Sequence, residues 1–467
     1  MKNKEPLMKT AVKSIIFCAI CFLLMLPDSW GRTMAVYPAK GDFHAASALT
    51  GFFQIRWNEV SPGDAFLLYD DYGPYTEPFI ISGKGTAEKP IVIKAALGEN
   101  PVIESSVVFA GAEHIVFEGI TVAGHFERGV IIREKSKNIT VNNCVIKNNG
   151  LGVWIGGGAG TGHKIADNRI YANKTHGIAV DLVNCAPGNE TLIANNVVYN
   201  NGHHGLEING NYYIIEGNRV YNNGLSIQGA SGIHTYAKNA EEDSGDYNII
   251  RYNISYFNKD REGKDGNGIQ LDQWCDNNKV YYNLCYGNDG AGICIFDSSE
   301  SSIYNNTVFN NMISSVRSHR ERAEIVIASD YVRNVNHVNN IKLINNIVVA
   351  DRKSTYAIYV DKLASKNKLS IENNMFFQAR GGDFYSWAGE TGKNIARWNE
   401  LTAGAGPDFY GDPLFIGNPP RNIADFDIKY GSPCIGRGAY MGQKRDVFGR
   451  SISKGETPSI GAVQYKK

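Results

Sequence analysis

The stretch SGIHTYAKN, Ser231 to Asn239, carries three proton-handling side chains in alternation: His234, Tyr236 and Lys238. An extended chain turns alternate side chains to one face, so Ile233 and Thr235 point the other way. A base and an acid side by side on a strand suit removal of a proton from carbon and delivery of another to a leaving oxygen. β-Elimination or C5 epimerisation at a uronic acid is such a reaction. It also needs the sugar carboxylate neutralised, so that negative charge can build on the enolate. His234 or Lys238 is the expected base and Tyr236 the expected acid. Arg251 is placed near them, to lower the pKa of a neighbouring tyrosine. Glu207 joins the catalytic candidates, because with Asp272 it also fits the two-carboxylate requirement of an inverting glycoside hydrolase.

These residues have to be held by something, and the sequence repeats. NCVIKNN, NRIYANK, NVVYNNG, NRVYNNG, NISYFNK, NLCYGND and NTVFNNM start at Asn143, Asn168, Asn196, Asn218, Asn253, Asn283 and Asn306, with weaker copies at Asn346 and Asn374. A second Asn follows five places later, at 148, 173, 201, 223, 258, 288 and 311. Three places in stand Ile146, Tyr171, Tyr199, Tyr221, Tyr256, Tyr286 and Phe309. Each period also holds a strand opened by Gly, among them GIAVD at 177–181, GLEIN at 205–209, GIHTY at 232–236 and GIQLD at 268–272. A third strand precedes each Asn. Three short strands and three turns per period predict an all-β, single-stranded right-handed parallel β-helix, a solenoid with three strands per coil. Repeated Asn and aromatic residues then stack on their own copies as ladders.

The repeat together with SPGDAFLLYDDYGPY…IISGKGTAEKPIVIKAALGENPVIE (61–104) and DPLFIG…DFDIKYGSPCIGRG…DVFGR…SIGAVQ (412–464) resembles the pectin-lyase-like superfamily of right-handed β-helix proteins. The resemblance implies an N-terminal capping helix, expected around His44 to Val60. The superfamily mixes polysaccharide lyases, uronan epimerases, glycoside hydrolases, esterases and adhesins, so the fold alone does not name a reaction.

The rhythm breaks around one place. Extended loops at 224–231, 237–247 and 259–267 flank two neighbouring Gly-led strands, and insertions in a solenoid often mark the binding face. The outward positions of the middle coils are polar: Glu207, His234 and Gln270 in one column, Asp181, Asn209, Tyr236 and Asp272 in the next. Asn209 and Gln270 are expected to hold the substrate, with Trp154 and Trp274 stacking on sugar faces and Arg133 meeting an acidic group. Calcium is the expected ion, since it takes hard oxygen ligands; Asp181, Asp272, Asp265 and Asp243 are its candidate ligands. NKDREGKDGNGIQLD (258–272) is loosely similar to an Asp-rich calcium motif of β-helix pectate lyases but lacks their adjacent paired aspartates. His203 and His204 are read as part of the turn before a strand. The stretch 312–340 is read as a side wall with a basic half.

The 467 residues divide into a signal peptide at 1–35, a cap and first coils at 36–125, a central β-helix with the groove at 126–380, and C-terminal coils with an end cap at 381–467. The lysines before the short apolar run SIIFCAICFLLML (14–26) predict export, to the medium, periplasm or cell surface, with no membrane association once the signal is removed. Lys plus Arg and Asp plus Glu are both 47, which gives no global field for nucleic acid. No phosphate loop, dinucleotide fingerprint or nucleophile elbow appears. The expected partner is an acidic polysaccharide bound by a monomer; a glycan-binding surface protein is the non-enzymatic alternative. Six cysteines remain beyond the signal without zinc spacing, and Cys275 with Cys294 is one conceivable disulfide.

Overall fold

The computed structural model describes residues 31–39, 48–314, 322–330, 333, 335–404 and 406–466. The expected signal segment and the basic half of 312–340 lie almost wholly outside these residues.

Among the described residues, three sheets of 14, 13 and 12 strands wind into a right-handed β-helix, parallel except for the antiparallel pair Tyr385–Trp387 and Glu390–Gly392. Each coil gives one strand to each sheet in turn. Thr191–Ala194 belongs to the first sheet, Val197–Tyr199 to the Asn-led sheet and Leu206–Asn209 to the Gly-led sheet; Tyr213–Glu216 then returns to the first. Branched residues suit these short pleated runs, and inward rows such as Leu206, Ile233, Ile269 and Ile293 form one continuous core along the axis.

The abundance of Asn has two physical causes. Bends into and out of the Asn-led strands need a left-handed residue, which Asn tolerates better than most; Asn195 (φ 55°) and Asn200 (φ 56°) fill those places. The next residue inward is a ladder Asn. Asn196 Nδ2 donates to Ile165 O at 2.8 Å and to Asn218 Oδ1 at 3.0 Å. Asn218 repeats the pattern on Asn253, and Asn253 on Asn283. The second ladder runs from Asn149 through Asn173, Asn201, Asn223, Asn258 and Asn288 to Asn311. In the first coil the expected register is one residue off. Asn143 and Asn148 take the left-handed bends, so Cys144 and Asn149 occupy the ladder places, and Val145 pairs with Arg169. Tyrosines stack as expected: Tyr171, Tyr199, Tyr221, Tyr256 and Tyr286 have ring centroids 4.8–5.0 Å apart.

The ladders explain why the third strand opens on Gly. A Cβ at Gly232 would lie 2.3 Å from Ser255 Oγ and 2.5 Å from Asn258 Nδ2. Only a residue without a side chain leaves room for the ladder of the next coil.

At the N-terminal end, described residues 48–60 form a three-residue strand and two short 3₁₀ turns rather than the amphipathic helix expected there. Gly51, at φ 82°, breaks the run, and Phe52 covers the core end by stacking on Phe79 at 3.7 Å. A helix, Ile395–Thr402, packs at the other end. Its buried Trp398 lies against Phe376, Phe384 and Tyr385. The region 312–340 is not only loop, for Ala323–Ala328 is a regular Gly-led-sheet strand paired on both sides. All six cysteines described are free and buried, so Cys275 and Cys294 form no disulfide.

Candidate functional site

The Gly-led sheet is in the register its sequence predicts. Ala179, Glu207, His234, Gln270 and Cys294 are successive partners across strands, and Tyr236 pairs with Asp272. On this frame His234 Nε2 meets Asp272 Oδ2 at 3.1 Å, with both side chains largely buried. A carboxylate on Nε2 fixes the imidazole tautomer and leaves Nδ1 as the lone pair. His234 Nδ1 is buried without a hydrogen-bond partner. Burial disfavours the charged ring, but the hydrogen bond and charge of Asp272 outweigh it, with Glu207 adding, so His234 is held above its ordinary pKa. The Tyr236 ring lies 5.8 Å from His234, nearly parallel. Burial and the negative charge of Asp272 raise its pKa, which keeps the phenol protonated.

Other histidines join this pair. His204 stacks on His234 with centroids 4.2 Å apart and planes 5° apart, and His176 stacks behind His204 at 5.5 Å. His176 Nε2 lies 3.3 Å from Glu207 Oε2 and 3.4 Å from His203 Nδ1, and His203 Nε2 faces Gln228 O at 3.0 Å. Burial drives His176 down to about 3 and His204 well below the ordinary value, so both rings are neutral. Burial also raises the Glu207 carboxyl. Gln270 Oε1 accepts from Ser231 Oγ and Asn267 Nδ2, both at 2.7 Å, which leaves its amide NH₂ as the end that can meet a ligand.

His203 and His204 sit in the turn before their strand, as expected, but their rings join the cluster, and His176 was not anticipated. The signal was the position just before each Gly, which reads His176, His204, Ser231 and Asn267 in successive coils. It forms a further outward column beside those of Glu207 and Asp272.

Several expected site residues are placed elsewhere. Lys238 lies past the end of its strand, exposed, with its backbone N–H on Glu242 Oε1 at 2.9 Å. The alternation ends at Tyr236, so Lys238 does not continue the row. Arg251 belongs to the first sheet, where it binds Glu216 at 2.6 Å and Tyr281 OH at 2.9 Å. Trp154 stays on the Gly-led face, but its ring lies under Arg128, whose guanidinium sits 4.3 Å from the centroid, and over Gly156. Trp274 packs on His337 at 4.3 Å. Arg133 pairs with Glu134 at 3.1 Å. Asn209 Nδ2 donates to Glu242, and its Oδ1 is buried without a partner.

Against this geometry the comparisons are informative. A family model described as a right-handed β-helix region matches residues 181–332, the coils that hold the cluster. The match covers about a third of the chain and agrees with the right-handed β-helix fold of these coils. A second model, described as the periplasmic copper-binding protein NosD, matches residues 81–243. No curated protein matches this β-helix in sequence. Among solved structures it is similar to a pectate lyase at 15% identity, covering 94% of this chain and 97% of that one with a TM-score of 0.47. It is also similar to the A-module of a mannuronan C-5 epimerase from Azotobacter vinelandii, at 14% identity, 66% and 86% coverage and a TM-score of 0.48. A mannuronic-acid-specific family 6 polysaccharide lyase from human gut microbiota is similar at 16% identity, 69% and 82% coverage and a TM-score of 0.46. Likeness at this level carries no argument about chemistry.

The residues of this β-helix do not fit calcium. Asp181, Asp272, Asp265 and Asp243 do not converge: Asp243 is taken by Asn211 at 2.6 Å, and Asp272 by His234. Among the described residues, the ligand-type atoms that approach one another, within 4.8 Å, belong to His204, Glu207 and His234. Two imidazoles and a carboxylate favour a softer ion than calcium. Yet His204 Nδ1 accepts the Ser231 N–H at 2.9 Å, so in this neutral ring Nε2 carries the hydrogen and offers no lone pair. As arranged, His234 Nδ1 and the Glu207 carboxyl remain as donors, while His204 offers none. No helix among the described residues is long and apolar enough to cross a membrane.

Proposed function

We propose that the chain modifies a uronic-acid-containing polysaccharide by taking the proton beside the sugar carboxylate, with His234 as base and Tyr236 as acid. The observation that carries this reading is the His234–Asp272 pair, with an unpartnered Nδ1 and the Tyr236 ring alongside it. In β-elimination His234 Nδ1 takes the C5 proton, and the C–H electron pair becomes the C4–C5 double bond. The C4–O bond breaks, and Tyr236 protonates the leaving oxygen. In epimerisation the C4–O bond stays intact and a proton returns to C5 from the opposite face. The Gln270 amide NH₂ is placed to hold the carboxylate as it gains enolate character. The sheet fixes these groups on adjacent strands, so little reorganisation is required at the moment of reaction.

A second reading has its own support. Burial holds the Glu207 carboxyl above its ordinary pKa, as a general acid requires, while Asp272 faces a histidine. Asp272 lies two coils and two residues along from Glu207, roughly 12 Å between backbones, so an inverting hydrolase is allowed where the two side chains lean together. A panel of uronic-acid polymers, followed at once for ultraviolet absorbance of unsaturated ends and for reducing ends, separates the readings. Reducing ends appearing without absorbance would sink the elimination reading; an epimerase changes neither and is read by NMR of the polymer. Binding without change in any of the three makes the chain a glycan-binding surface protein.

A further inference from the structure

The Gly-led face has different surroundings on the two sides of the cluster. In the coils after Gln270 the outward residues Cys294 and Val326 are each 1% exposed and Ala328 9%. They pack with Met312, Phe296 and Tyr359 in an apolar cluster of their own, separate from the interior core that holds Ile293, Ile295, Ile325 and Ile327. The outside of the sheet is therefore closed from the first coil beyond the site. In the coils before Glu207 no apolar cluster among the described residues covers the outside of the sheet: Ala179 (5% exposed) and Ile131 (9%) form a low floor, and Trp154 between them is partly exposed. Ala179 is followed by Trp154, which lies flat between Arg128 and the Gly156 backbone. Asp181 is exposed and Leu182 is 56% exposed at this edge. From Glu207 back to Ile131 is three coil steps, about 14 Å, room for a few sugar residues. Arg128 on this side carries the charge opposite to a uronate, while Arg133 is paired with Glu134.

We infer that the groove is one-ended. The polymer lies along the earlier coils, over Ala179, Trp154 and Arg128. The reacting sugar is at or next to a chain end, against the apolar wall of Phe296, Met312 and Tyr359. This rests on the polysaccharide reading above and adds to it the mode of attack: products leave as short pieces from an end, and internal cuts are excluded by the wall.

The test is the size of the products at early times, read by gel filtration of a long uronan during turnover. Short products from the first samples, with the remaining polymer almost unchanged in mean length, are expected. A rapid fall in mean length with a ladder of intermediate oligomers overturns the inference, whichever bond chemistry is found. Phe296→Ala, checked by its melting temperature, is expected to shift products toward longer pieces; an unchanged profile from a folded variant counts against the wall. Binding keeps the two claims apart if no polymer is turned over. A uronan oligomer with free ends is then expected to bind at least about tenfold more tightly than the same oligomer carrying a bulky fluorophore at both ends. Equal binding of the two overturns the one-ended groove, while absence of turnover with unequal binding removes only the chemistry.

Discussion

Two stacks of polar side chains run along this solenoid, and they obey opposite rules. In the Asn ladders each amide oxygen accepts from the coil before it, and each amide nitrogen donates to an older carbonyl and to the next Asn. Each ladder ends on a buried acid that accepts its last N–H groups, Asp408 for the first and Glu324 for the second. In the histidine column of the Gly-led face, His176 Nδ1, His234 Nδ1 and Asn209 Oδ1 are buried with no partner. A buried polar atom left unmade costs about 1–3 kcal/mol. The solenoid thus satisfies the polar groups of its ladders, and three buried atoms without a hydrogen-bond partner fall together in this patch. That contrast separates a ladder that holds coils together from the column proposed above as the reacting site.

The comparison can be broken most directly at the column. His234→Asn and Tyr236→Phe are expected to lower turnover by about 10²–10⁴ while leaving the melting temperature close to that of the parent. A large loss of stability with either change would make these residues structural, like the Asn rows.

The ladders predict the reverse pattern. Burial raises Glu324 from its ordinary 4.5 to about 8. A carboxyl whose folded pKa is raised favours the folded state fully below the unfolded value, and that contribution is lost as pH rises to the folded one. Stability should fall between pH 4.5 and about 8, by at most about 1.4 kcal/mol per pH unit. Glu324→Gln should flatten that slope in denaturant melts at a series of pH values; a parallel slope would show that Glu324 is not the cause. Asn253→Ala removes an acceptor from Asn218 and donors to Ile215 O and Asn283. It is expected to cost about 1–3 kcal/mol in urea melts, with residual folded protein still active. The smallest effects are expected at Lys238→Ala and Arg251→Ala, with turnover within about twofold because neither side chain meets the cluster. A large loss at Lys238 would put the base back in the loop.

Much of the fold could be read from the sequence because a solenoid repeats its physics. Asn at the ladder, Tyr on the outer stack and Gly against the next coil recur at fixed offsets, so seven weak signals add. The slip at Asn143 arose where left-handed bends also prefer Asn, and residue type cannot separate the bend from the ladder place. The columns of Glu207, His234, Gln270 and Asp272 followed from the same register. His176 and His204 were missed because the place before Gly looks like a turn, although its side chain shares the outward face. Asp272 and Asp243 failed as calcium ligands because His234 and Asn211 take their carboxylates, and Arg251 failed for another reason. Proximity across sheets depends on which of three faces a residue occupies, and sequence spacing alone ranks them poorly. Trp154 kept its place but not its bare face, since Arg128 covers it.

The most direct measurement is mass spectrometry of the products formed from a uronan in heavy water enriched in heavy oxygen. The account predicts unsaturated chain ends lacking solvent oxygen, or an intact polymer with deuterium at C5, and loss of both in His234→Asn. Saturated ends carrying solvent oxygen, with no deuterium on carbon, would contradict it and give the site to Glu207 and Asp272.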